Sequence, residues 1–199
     1  HKDKILLKKY FNINSIKVDF YLNKNITLLN NNKIGNYFCF FGAWSRAENL
    51  DGLVWFVNKV IPHLNNQFKF IIIGGGINAN VRDECKKNGL EILGFVEDPY
   101  PLIAGAKALI APLFSGAGVP VNVLESLACG TPVIGTNIAF EGIDICKNHQ
   151  YLASNVHDFI NQICSLKNID IKTKNLIKDE FRDTYPKNIP HKIIKKLFI

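Results

Sequence analysis

Residues 108–135 read ALIAPLFSGAGVPVNVLESLACGTPVIG, and this stretch decides the fold. It opens on an apolar, strand-like run, Ala108–Ala111, followed by a loop with glycines at 116 and 118. Pro120–Cys129 then reads as a helix. Pro stands at its first position, where a missing N–H costs nothing, and Gly130 stops it. Pro132–Gly135 is a second strand-like run. Within the helix Val123, Leu124, Leu127 and Ala128 cover the buried side, while Asn122 and Glu125, three apart, share one face.

The same alternation continues outward. Upstream, Tyr37–Trp44 (YFCFFGAW) reads as a buried strand. Asn49–Leu64 has Leu50, Leu53, Val54, Val57, Val60 and Ile61 at helical spacing. Phe68–Ile73 is a β-branched strand stopping at Gly74-Gly75-Gly76. Asn80–Asn88 is a short polar helix ended by Gly89, Leu90–Val96 a strand and Pro99–Ala106 a short helix. Downstream, Gln150–Ala153 reads as an edge strand and Asn155–Leu166 as an amphipathic helix, with one or two basic helices to the end. Strands and helices alternating through short loops predict an α/β fold, a parallel sheet with helices on both faces. The Asn-rich stretch Asn23–Asn36 reads as a linker or an edge hairpin, and no internal repeat is present.

The 199 residues suffice for one domain with a full core, and 47% apolar with 21% charged is a globular composition. No apolar run reaches the roughly 18 residues of a membrane helix, and no apolar leader follows the basic start. Met is absent even at position 1, which points to a piece of a longer protein or to a chain that begins with a tag remnant. The net charge is +7 and the pI about 9.1. The excess gathers in 166–199 and at Lys2, Lys4, Lys8, Lys9 and Lys17. It reads as a solvated surface, or as a flank for anionic lipid headgroups or a polyanionic substrate. Nucleic acid is disfavoured, because RNP-like aromatics, zinc-finger spacing and Arg-rich runs are all missing. The cysteines at 39, 85, 129, 146 and 164 are odd in number, widely spaced and without C-x-x-C. Reduced thiols and a cytoplasmic location follow, with Cys39 and Cys129 as packing residues. No His/Cys/Asp cluster has metal-ligand spacing, so no metal is expected.

Ligands of open parallel sheets bind beyond the carboxyl ends of the strands. Three loops stand out there. In the first, Ser45, Arg46 and Asn49 offer a hydroxyl, a guanidinium and an amide before a helix, a suitable place for an anion. Arg46 could equally pair with Glu48, and Asn49 could simply cap the helix. The second is Gly74-Gly75-Gly76, which lets a ligand approach the backbone or merely makes a tight turn. It completes no G-x-G-x-x-G, which argues against a nicotinamide enzyme. The third is Ser115–Pro120, where glycines precede a helix and make an anion site at its start. Glu125, one to two turns into that helix, is placed to accept hydrogen bonds from ribose hydroxyls, unless it is only a solvated glutamate.

The block from Phe114 to Ile134 resembles the donor-binding signature of the family 4 (group 1) glycosyltransferases. Ser45-Arg46-x-x-Asn49, Gly94-Phe95-Val96-x-Asp98, Ala111-Pro112-Leu113 and Glu141-Gly142 resemble further elements of one subgroup. The resemblance runs from about Phe38 to Ile143. It implies a GT-B fold with two Rossmann-like domains, of which this chain is the C-terminal, donor-binding half. Residues 1–34 are then a flank or linker, 35–166 the Rossmann-like nucleotide-sugar-binding domain, and 167–199 basic C-terminal helices. The partners implied are a nucleotide-sugar donor, a glycan or lipid-linked acceptor and a missing N-terminal acceptor domain.

By the same resemblance Glu125 binds the ribose and the backbone at Phe95 and Val96 holds the base. Gly116, Ala117, Gly118 and Val119 approach the phosphates or sugar, beside Ser45, Asn49, Gly75 and Asn122. Arg46 is the catalytic residue, stabilising charge on the leaving nucleoside diphosphate. No cofactor is implied beyond the nucleoside-diphosphate sugar, which is a substrate. The expected activity is a hexosyltransferase-type transfer in polysaccharide or glycolipid synthesis, at the inner face of a membrane, with the fragment alone inactive. The family's Arg and Lys fall here on Pro120 and Asn122, so the helix brings no cation to the diphosphate. That departure motivates the alternative of a catalytically inactive GT-B-like module acting as a binding or assembly partner.

Overall fold

A computed structural model describes residues 2–15, 22, 26, 33–64, 67–116 and 118–185. Six strands form one sheet: β1 (Tyr37–Phe41), β2 (Lys69–Ile73), β3 (Glu91–Gly94), β4 (Leu109–Ala111), β5 (Val133–Gly135) and β6 (Gln150–Leu152). Every pairing is parallel and the order is β3-β2-β1-β4-β5-β6. The sheet thus grows outward in both directions from β1, and its strand order reverses between β1 and β4, where a crevice opens at the carboxyl ends.

Alternation along the strands feeds two cores. Phe38, Phe40, Phe70, Ile72, Ile110 and Ile134 face one side. They pack against α2 (Ala47–Lys59), α3 (Ala79–Lys87) and α6 (Val156–Ser165) through Leu53, Phe56, Cys85, Phe159 and Ile163. Phe40 and Phe56 meet edge-to-face at 5.1 Å between centroids. Cys39, Ile71, Ile73, Leu109, Ala111 and Val133 face the other side. There they meet α4 (Tyr100–Gly105), α5 (Val121–Ala128) and α7 (Ile171–Thr184). Ile177 and Phe181 of α7 are core residues, so this basic helix covers part of the second face. Burial also makes Cys39 and Cys129 the packing thiols expected, and pushes the Cys39 thiol up to about 12.

Several boundaries shift for local reasons. The strand read as Tyr37–Trp44 ends at Phe41. Beyond it the Gly42 N–H donates to Ile73 O (3.2 Å), and Trp44 turns inward so that its Nε1 donates to the same carbonyl at 3.1 Å. α2 begins at Ala47 and yields to a 3-10 turn, Ile61–His63, because Pro62 lacks an N–H and disfavours α geometry in the residue before it. Pro120, read as the first helical residue, is instead the N-cap of α5, with an extended ψ of 107°. A helix the pattern did not suggest, α1 (Lys2–Phe11), lies in the N-terminal flank. Of the linker or hairpin read at Asn23–Asn36, residues 23–25 and 27–32 lie outside the described residues, as does any second basic helix at 186–199. Among the described residues no helix is long and apolar enough to cross a membrane.

Candidate functional site

The residues singled out from the sequence converge on one cavity of about 520 Å³ at the carboxyl edge of the sheet. Arg46 comes from the loop after β1, Asn49 from the first turn of α2, Gly75 from the loop after β2, and Phe95 and Val96 from the loop after β3. Gly116, Gly118 and Val119 come from the loop after β4, and Asn122 and Glu125 from α5. Ser45 is not part of the lining; its backbone N–H packs on Gly76 instead. Ala117 lies outside the described residues.

Two amides shape the floor. Asn49 Nδ2 donates to Ala43 O (3.0 Å), and Asn122 Nδ2 donates to Phe41 O (2.9 Å). The Asn49 amide crowds Gly42, where an added Cβ would lie 3.0 Å from its Nδ2. Asn122 Oδ1 also accepts from the Val123 N–H (3.0 Å), which donates to Pro120 O as well (3.2 Å). The position where the resemblance expects a lysine therefore holds a residue that clamps β1 to α5. Arg46 is 66% exposed and pairs with Glu48 at 2.7 Å. The Glu48 carboxyl is held below its usual range, first by its own backbone N–H and then by Arg46. The guanidinium stands at the cavity with a carboxylate already on it, as one of the two sequence readings has it.

The two glycine loops differ in kind. A Cβ on Gly74 would lie 1.9 Å from Gly42 O, and one on Gly76 would lie 2.7 Å from Ser45 N, both at left-handed φ. These glycines join the loops after β1 and β2 back to back, and Trp44 N–H donating to Gly75 O (2.9 Å) completes the seam. Gly116 (φ 139°) and Gly118 (φ 88°) have nothing within 4 Å of an added Cβ. Their backbone faces open space at the start of α5, whose Val121 and Asn122 N–H groups precede any intrahelical partner.

Glu125 sits one turn further in, and its Oε1 accepts from the Tyr100 hydroxyl at 2.8 Å. Tyr100 belongs to the first turn of α4 and also lines the cavity. Burial, and then the Glu125 carboxylate, raise its pKa, so the phenol stays a donor. Tyr100 and Gly42 are the site residues the sequence reading missed. The Pro99-Tyr100-Pro101 run at a carboxyl-edge helix start was the available signal for the first; nothing local marks the second. Phe95 is 82% exposed at the rim. The described lining holds three carboxylates, Glu48, Glu97 and Glu125, against one guanidinium. An anionic ligand would therefore rely on backbone N–H groups, the helix start and Arg46. Among the described residues no group of three or more His, Cys, Asp or Glu is assembled for a metal.

Residues 35–168 match the family model of the glycosyl transferases group 1. An uncharacterized 44.6 kDa protein in the cps region of Klebsiella pneumoniae is 25% identical over 162 residues, covering 71% of this chain and 42% of its own. Among solved structures, a mutant of S. aureus TarM in complex with Fondaparinux, alpha-GlcNAc-glycerol and UDP superposes with a TM-score of 0.73 at 15% identity, over 99% of this chain and 42% of its own. Anabaena HepE in complex with UDP and glucose gives 0.59 at 17%, over 83% and 48%. WaaG, a glycosyltransferase involved in lipopolysaccharide biosynthesis, gives 0.56 at 16%, over 79% and 45%. The chain thus spans less than half the length of each of these relatives, and the shared architecture is the Rossmann-like domain of the GT-B fold.

Proposed function

Because this chain belongs to the group 1 glycosyltransferases, we propose that it is the donor half of an enzyme that moves a sugar from a nucleoside diphosphate to a glycan or lipid-linked acceptor. The observation that carries this reading is the single cavity that joins Glu125, Arg46 and the open-faced Gly116 and Gly118. Glu125 accepts the ribose hydroxyls, the loop at Phe95 and Val96 receives the base, and the glycines let the diphosphate reach the start of α5. In the reaction the bond from the sugar's anomeric carbon to the diphosphate oxygen breaks, and a bond to the acceptor oxygen forms. Charge then grows on the diphosphate, where Arg46 and the helix start stabilise it. The complementary half of the cleft, with the acceptor, belongs to a separate N-terminal domain, so this chain alone transfers no sugar. The Lys-rich flanks suit an anionic membrane surface on the cytoplasmic side. UDP in the TarM and HepE complexes supports the donor class.

Thermal-shift titration with UDP, GDP and ADP, on this chain and on Glu125→Ala, tests the reading. A ligand bound only by the folded state raises the melting temperature by mass action. Selective stabilisation by one nucleotide, lost in the variant, is the expected result; none with any of the three at millimolar concentration overturns it.

One observation favours a second reading, a non-catalytic binding module. Asn122 spends its amide on Phe41 O and the Val123 N–H, and Pro120 carries no charge. On this reading the unmodified chain binds no nucleotide, and Pro120→Arg with Asn122→Lys creates binding.

A further inference from the structure

The Tyr100–Glu125 hydrogen bond lies on the wall of the cavity, and the packing of α4 on α5 does not need it. Ile103 and Ala104 of α4 and Leu124 and Leu127 of α5 are buried in the same core without it. The backbone of Tyr100 is itself pinned, its N–H donating to Asp98 Oδ1 at 3.3 Å, so the ring enters the cavity from a fixed helix start. Both side chains are half-buried and both line the space. A carboxylate offers about four lone-pair sites. Tyr100 occupies one on Oε1. The carboxylate's orientation is then set before a ligand arrives, which removes an ordering cost from binding.

We propose that Tyr100 is the positioning residue of this site: its hydroxyl holds the Glu125 carboxylate for the vicinal diol of a ribose and so makes the cavity favour ribonucleotides over 2′-deoxyribonucleotides. This rests on the donor-site reading above. The physical reason is geometric. A fixed carboxylate facing a diol loses a partner when one hydroxyl is removed and cannot swing to recover it. A loose carboxylate can turn to the remaining hydroxyl, so it discriminates less. The phenol acts through Glu125 and need not touch the ligand.

Calorimetric titration of the full chain with UDP and with 2′-deoxy-UDP provides the test, on wild type, Tyr100→Phe, Glu125→Gln and the double variant. The wild type is expected to prefer UDP by about tenfold, the size of one hydrogen bond to a charged group. Tyr100→Phe lowers this ratio several-fold, and in the Glu125→Gln background the same change leaves the ratio alone. A merely structural role would weaken both nucleotides equally and leave the ratio intact; that result overturns the inference while the donor site stands. Absence of binding by UDP, GDP and ADP alike overturns the donor reading and the inference with it; where GDP or ADP is the nucleotide bound, it is compared with its own 2′-deoxy form in the same four proteins. Should Tyr100→Phe not fold, a polyfluorinated tyrosine at position 100 that ionises near neutral pH replaces it. Its preference for UDP should fall as pH rises and the donor is lost, while that of wild type persists; parallel profiles sink the idea.

Discussion

The two ends of α5 use the same residue chemistry for opposite ends. At the amino end, Gly116 and Gly118 take left-handed φ beside open space, and the helix has no side-chain N-cap. At the carboxyl end, Gly130 (φ 75°) closes the helix by the Schellman pattern. Its N–H donates to Leu127 O (2.9 Å) and that of Thr131 donates to Ser126 O (2.9 Å). Here an added Cβ would lie 2.4 Å from Lys174 O. Beneath it Lys174 Nζ is sealed in, donating to Ala104 O and Ala106 O (both 2.5 Å) and to Thr131 Oγ1 (3.1 Å). One end keeps backbone donors available at a cavity; the other consumes every polar group it buries. A glycine's left-handed conformation alone does not reveal which is which. The neighbour at the missing Cβ does.

The sharpest way to break this contrast is Gly130→Ala. It meets both a strained φ and a backbone clash, so it should lower stability by about 3 to 5 kcal/mol, read by urea or thermal unfolding. Gly118→Ala meets strain without a clash and should cost only about 1 kcal/mol. Its distinctive effect is on ligand: the melting-temperature rise given by UDP in the wild type should shrink or vanish. If both alanines cost the same stability, the open and packed ends are not different in kind.

A smaller, pH-dependent effect sharpens the sealed end. Burial pulls the Lys174 ammonium down to about 8 from 10.5. As pH rises through 8 the folded state releases this proton, while the unfolded chain keeps it until about 10.5. Stability from this group is therefore fully present above the unfolded value and lost as pH falls through the folded one. The stability of wild type minus that of Lys174→Met should rise by on the order of 1 kcal/mol between pH 8 and 9.5. Taking the difference between the two proteins cancels the thiol titrations they share. A flat difference would mean that the amine reaches water.

Much of this was legible in the chain. Apolar runs of strand length, separated by helical periodicity and glycine stops, gave the alternating order, because a sheet covered on both faces must be apolar on both faces of each strand. Arg46 and the glycines at 116 and 118 stood out because they fall in loops after strand ends, where this architecture opens its crevice, and Glu125 because it stands in the helix that follows one of those loops. The strand stops at Phe41 rather than at Trp44 because Trp44, as apolar as a strand residue, is buried by folding back onto Ile73 O, which no local pattern shows. The clamp role of Asn122 was hidden for a similar reason. An amide near a site reads as a ligand contact until its partner, the carbonyl of Phe41, is known to be 2.9 Å away.

The sequence by itself determined the class of fold, the edge at which a ligand would lie and the residues available there, since these follow from local periodicity and the rule that parallel strands need covered faces. Only the tertiary structure decided how those residues are engaged. It tied Asn122 to β1, set Tyr100 on Glu125 and separated the packed glycines from the open ones. Hydrogen bonds and close contacts between residues far apart in the chain depend on distances of a few tenths of an ångström, which no spacing in one strand or helix can encode.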